Sequence, residues 1–153
     1  MAYHLIKSLH VLAVVLFLGN ILVTAVWKTL ADRTRNPQII AFSQRLVTLT
    51  DLLFTGGGAA LVLGTGLWMV PSLDMLLDAA WLFWSLICFG LSGFLWLAVL
   101  IPTQMEQSRL AHSFGQEPIP QRYWQLSRRW AVFGTCSTLV PLFPMVLMIL
   151  KPA

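Results

Sequence analysis

Four residues of this chain have side chains that can do chemistry from within apolar surroundings: Lys7, His10, Asn20 and Asp51. His10 is the one histidine inside a predicted membrane span, about five residues from its end. A neutral imidazole ligates haem iron or copper, or hydrogen-bonds a neighbouring helix. Ionisable groups held in lipid are costly and tend to be functional. Lys7 stands one turn before His10, and its long stem can carry the amine to the membrane surface. Asn20, near mid-membrane, can hydrogen-bond across helices. Asp51 opens the second apolar stretch, flanked by Thr48, Thr50 and Thr55. There it can complement a helix N-terminus, pair with Lys28, Arg45 or Arg128, or relay protons.

Two-histidine ligation of a haem needs a second histidine at the level of the first. His4 lies nearly outside, and His112 belongs to a connection between spans. A second ligand would be Met69, Met145, Met148, Lys7 or a residue of another subunit. A His/Met pair also suits copper. No glycine-rich phosphate loop, acyl-transfer triad signature or histidine zinc motif is present.

Four long helices must position these residues. Of the 153 residues, 58% are hydrophobic and 10% charged, against roughly 25% charged in soluble domains. Lipid must therefore cover most of the surface. The apolar stretches run over about Leu5–Trp27, Leu49–Val70, Ala80–Ile101 and Trp130–Leu150, each long enough to cross a hydrocarbon core of about 30 Å. They are continuous rather than alternating, which predicts helices and not a barrel. The expectation is one all-α membrane domain over residues 1–153, an integral four-helix bundle.

The charges orient it. Lys28, Arg33, Arg35 and Arg45 fall in the first connection, and Arg109, Arg122, Arg128 and Arg129 in the third. The second, around Pro71 to Asp78, carries Asp74 and Asp78 and no base. Cytoplasmic segments retain Lys and Arg, so both termini should lie outside a bacterial inner membrane. The net charge of +4 then reflects attraction to anionic lipid, and no nucleic-acid partner is expected. Trp27 and Trp130 mark inner span ends, and Trp68, Trp81 and Trp84 outer ones. Cleavage of span one as a signal peptide would leave Lys28, Arg33 and Arg35 at a translocated N-terminus, so a retained helix is expected.

Finer features follow. From Pro37 to Thr48, an amphipathic stretch should turn Ile39, Ile40, Phe42 and Leu46 to lipid and Gln38, Gln44 and Arg45 to water. Span three should stop at Pro102. Gly56, Ala60 and Gly64 recur every four residues, a face for close helix approach within the bundle or for a homodimer or membrane partner. Pro141 and Pro144 deprive carbonyls near Ser137 and Val140 of their donors. Cys88 and Cys136 should be offset by nearly 10 Å along the bundle axis. A disulfide needs Cα atoms within about 7 Å, so both should be free, packed thiols.

Lys7-Ser8-Leu9-His10-Val11, Gly19-Asn20, Trp27-Lys28, Ala31-Asp32-Arg33, Thr50-Asp51, Phe54-Thr55 and Thr65-Gly66 together resemble a family of small bacterial membrane proteins, the integral membrane proteins of domain-of-unknown-function family 2269. The resemblance spans nearly the whole chain. More distantly, Lys7-x-Leu9-His10 resembles the first span of the four-helix membrane protoporphyrinogen oxidases and of CopD-type copper-resistance proteins. In those oxidases the matching histidine is associated with haem b. Their functional lysine on a later helix has no counterpart here before Lys151. The resemblance thus implies a redox-type protein with haem b on His10. The alternatives are a copper-handling protein using His10 with methionines, or a non-catalytic membrane subunit.

Overall fold

In the computed structural model, residues 1–72, 75, 78–115 and 118–150 are described. Asp74 and Lys151 therefore lie outside the described residues. Four helices account for most of the rest: α1 (Ala2–Thr34), α2 (Pro37–Trp68), α3 (Ala80–His112) and α4 (Gln121–Leu150). Each contains a stretch long and apolar enough to cross a membrane. At 1.5 Å per residue, helices of 30 to 33 residues reach about 45–50 Å, well beyond a 30 Å core. The excess lies at the end carrying the basic connections, here called the basic end.

Two residues make the first bend. Arg35 ends α1 in the left-handed region, φ 52°, with its N–H bonded to Asp32 O at 3.3 Å. Asn36 then caps α2: its side-chain oxygen accepts from the N–H groups of Gln38 (2.9 Å) and Ile39 (3.3 Å). Pro37 sits where a missing N–H costs nothing. Asn36→Ala should therefore lower stability by about 1 kcal/mol, read as an earlier unfolding midpoint in detergent.

α2 thus begins about three turns before its apolar stretch. Its face is rotated from the expected amphipathic one: Ile40 is fully buried and Gln44 is 1% exposed, whereas Phe42 is 66% exposed. The reason is that these turns pack on the last turns of α3 instead of lying on lipid. Gln44 and Gln107 are both buried there without a hydrogen-bond partner.

α2 and α3 each contain a widened π-helical segment, Asp51–Gly56 and Trp96–Leu100. The second explains why α3 does not stop at Pro102. The proline follows a segment whose ladder is already opened, at the start of the α-helical run Ile101–His112. The two segments meet: a Cβ at Gly56 would lie 3.2 Å from the tip of the Trp96 ring.

The helices pack mainly as two sequence-adjacent hairpins, α1 on α2 and α3 on α4. Glycine allows the first. A Cβ at Gly58 would lie 3.1 Å from Phe17 Cβ, and one at Gly66 3.3 Å from the His10 ring. The contact face is therefore Gly58 and Gly66. Ala60 and Gly64 of the expected face point outward and are exposed. In the second hairpin, Pro141 has no N–H for the Ser137 carbonyl. Ser92 Oγ on α3 supplies the missing donor at 2.7 Å. Ser92→Ala leaves that carbonyl unpaired and should cost about 1–3 kcal/mol, measurable as a lower detergent-unfolding midpoint. Cys88 and Cys136 are both free, but only Cys88 is partly packed; Cys136 lies on the outer side of α4 and is exposed.

Candidate functional site

Three polar clusters arise where these packing faces meet. The first surrounds Asp51, which is 6% exposed. Because α2 starts at Pro37, Asp51 lies mid-helix and caps no N-terminus. Nor does it pair with Lys28, Arg45 or Arg128. Its carboxylate accepts from Asn20 Nδ2 at 2.9 Å, Thr55 Oγ1 at 3.2 Å and Gln104 Nε2 at 2.5 Å. Asn20 also donates to Thr55 Oγ1 at 2.9 Å. Helices α1, α2 and α3 are thus joined by one carboxylate fed by three neutral donors. Asn20 makes the cross-helix bonds expected of it. Gln104 was not foreseen, because it lies beyond Pro102, where span three was expected to have ended.

Asp51 also lines a cleft of about 290 Å³, together with Thr24, Trp96, Gln104 and Trp130. Leu22 and Leu139, each 60% exposed, stand among its lining residues. The cleft therefore meets the outer surface of the bundle between α1 and α4.

The second cluster lies at the basic end of α1. Lys28 is 1% exposed, which removes it from the set of partners open to Asp51. Its ammonium donates to Asp32 at 3.2 Å and to Tyr123 Oη at 3.1 Å. Tyr123 donates to the other Asp32 oxygen at 2.7 Å, and Ser127 also donates to Asp32. The ammonium lies 5.1 Å from the Tyr123 ring centre and 5.5 Å from that of Trp130. A buried charge is tolerated when paired and hydrogen-bonded, and each charge here is. The cluster ties α1 to α4. Its sequence signal was the Lys28/Asp32 spacing of four, one helical turn. Nothing local announced Tyr123 and Ser127. Trp130, expected as a headgroup-level ring, is instead drawn partly inside, with its N–H unpaired.

The third cluster is His10 on Thr65, with Nδ1 and Oγ1 2.8 Å apart. The Thr65 hydroxyl is itself donated to Leu61 O at 2.5 Å. Oγ1 is therefore the acceptor and Nδ1 carries the proton, which leaves the Nε2 lone pair free. His10 is half-buried and Lys7 is exposed. Neither His10 nor Thr65 lines the cleft. Among the described residues, no group of three or more His, Cys, Asp or Glu side chains converges to hold a metal.

Comparison with known proteins gives one match. Neither a curated protein nor a solved structure is similar enough to count as one. The family described as "Predicted integral membrane protein (DUF2269)" matches residues 4–152, nearly the whole chain. Four apolar helices and an exposed surface rich in leucine, valine and phenylalanine are what such a protein requires, and the chain belongs to that family of multi-pass integral membrane proteins.

Proposed function

We propose that this protein is a small redox-type protein of the bacterial inner membrane that holds b-haem through Nε2 of His10. The supporting observation is the contact of His10 Nδ1 with Thr65 Oγ1. Ligating histidines usually donate their second ring N–H to an oxygen, which orients the ring and raises its basicity. His10 does so to Thr65 Oγ1 at 2.8 Å. Its ring packs at Gly66, where a side chain would crowd it. The donor set fits one axial position. Met69, four residues after Thr65 and so on the same helical face, is a candidate second ligand. A bound haem would supply one-electron transfer.

The experiment is a pair of oxidised and reduced visible spectra of protein purified in mild detergent from haem-replete cells. The parent should show a Soret band, and His10→Ala should lose it. Thr65→Val should weaken haem retention about 10- to 100-fold, as loss of an orienting partner does. A parent without a Soret band rejects haem. Copper that co-purifies without one, and is lost in His10→Ala, would establish the copper-handling alternative instead.

The same reading places both termini outside and the basic bends in the cytoplasm, supported by the Lys and Arg distribution. A reporter fused at residue 115 should behave as cytoplasmic, and periplasmic activity there overturns the orientation. A subunit-type role is favoured by one observation, the outward exposure of Ala60 and Gly64. If two copies meet there, Gly64→Cys should form a disulfide-linked dimer in oxidised membranes. A purely monomeric product rejects that contact.

A further inference from the structure

We propose that the cleft beside Asp51 binds a lipophilic organic monocation, an amine or quaternary ammonium, with Asp51 as counter-ion and Trp96 and Trp130 as aromatic walls.

Charge is the first argument. The Asp51 carboxylate accepts three hydrogen bonds, all from neutral groups. These bonds bring no positive charge to it. Among the described residues the ion pairs are Lys28–Asp32 and Arg122–Glu106. Lys28 is thus committed elsewhere, and Asp51 has no cation. A buried carboxylate without a counter-charge is costly. It accepts at about four positions when ionised, so one remains open.

Four hydroxyls of the cleft agree with that sign. The hydroxyls of Thr24, Thr29, Thr135 and Thr138 are each donated to a carbonyl one turn earlier in their own helix, at 2.7–2.8 Å. They turn oxygen lone pairs, not free protons, toward an occupant.

Size and access select among cations. At about 290 Å³ the cleft is at the lower end of small-molecule sites and far larger than a bare ion needs. Its walls are chiefly apolar, with two indoles among them, and tryptophan is the strongest aromatic partner for an organic cation. The exposed Leu22 and Leu139 lie where lipid would surround the bundle. A ligand that partitions into lipid reaches the cleft sideways, as a hydrated metal ion does not.

The proposal is independent of haem, because neither His10 nor Thr65 lines the cleft. It is tested by calorimetric titration of the purified protein in maltoside micelles with benzyltrimethylammonium. The comparison ligand is its neutral carbon isostere, neopentylbenzene. Saturable binding of the cation is expected, weakened at least tenfold in Asp51→Asn and severalfold in Trp96→Phe, with the isostere binding far less. Should Asp51→Asn fail to fold, Trp96→Phe, which keeps the carboxylate, decides the matter. The proposal is overturned if the parent does not bind up to millimolar cation. It is equally overturned if the isostere binds as well, or if a folded variant keeps parental affinity.

Discussion

Asp32→Ala should lower the unfolding free energy by about 3–5 kcal/mol, the range for a buried ion pair that loses one partner. Lys28 is 1% exposed, and Asp32 accepts from Lys28, Tyr123 and Ser127. Without that carboxylate the ammonium keeps only hydroxyls and ring faces. The tyrosine hydroxyl also loses its acceptor. The loss should be much smaller in the double variant Lys28→Met, Asp32→Leu, since replacing both charges removes the uncompensated one. Denaturant titration in detergent micelles gives both values. A change below about 1 kcal/mol in Asp32→Ala would mean that the Lys28 ammonium escapes to solvent, and that the cluster does not hold α1 to α4.

Gly58→Leu should be nearly as damaging, by a different route. A Cβ there would lie 3.1 Å from Phe17 Cβ and 3.3 Å from Phe17 Cα. The second of these is backbone, which cannot rotate away. Helix α1 must move off α2, and overpacking of this kind costs about 1–3 kcal/mol or more. The same displacement separates His10 from Thr65, so the haem retention proposed above should fall together with stability. Gly57→Leu and Gly64→Leu supply the comparison, because open space surrounds a Cβ at either position. They should stay within about 0.5 kcal/mol of the parent. Equal losses at Gly57 and Gly58 would show that helix flexibility, not close approach, explains the glycines.

What could be read from the sequence was whatever depends on sums along the chain. The length of each apolar stretch decides that a helix crosses lipid, because each residue adds its own transfer free energy. Four spans, the class and the family followed from that and from short motifs. Free cysteines followed from axial position alone. The freed Ser137 carbonyl followed from Pro141, because the backbone bond that proline removes is local.

Tertiary structure decided which side chains face one another, because that depends on how each helix is rotated and how far it slides. The stretch from Pro37 reads as amphipathic, but its sequence does not say which side another helix will cover, and so did not favour Ile40 over Phe42 for the interior. Packing on α3 did. Gly56, Ala60 and Gly64 have the spacing of a contact face, yet Phe17 and His10 settle on Gly58 and Gly66. The π-helical segments at Asp51 and Trp96 shift the register of everything beyond them. Asp51 consequently meets Gln104. Lys28 meets Asp32 and Tyr123 rather than Asp51 because α4 packs at its end of α1. Burial in lipid is a property a residue has by itself, so the sequence contains it. A hydrogen bond between helices belongs to two residues far apart in the chain, and only the assembled bundle fixes their distance.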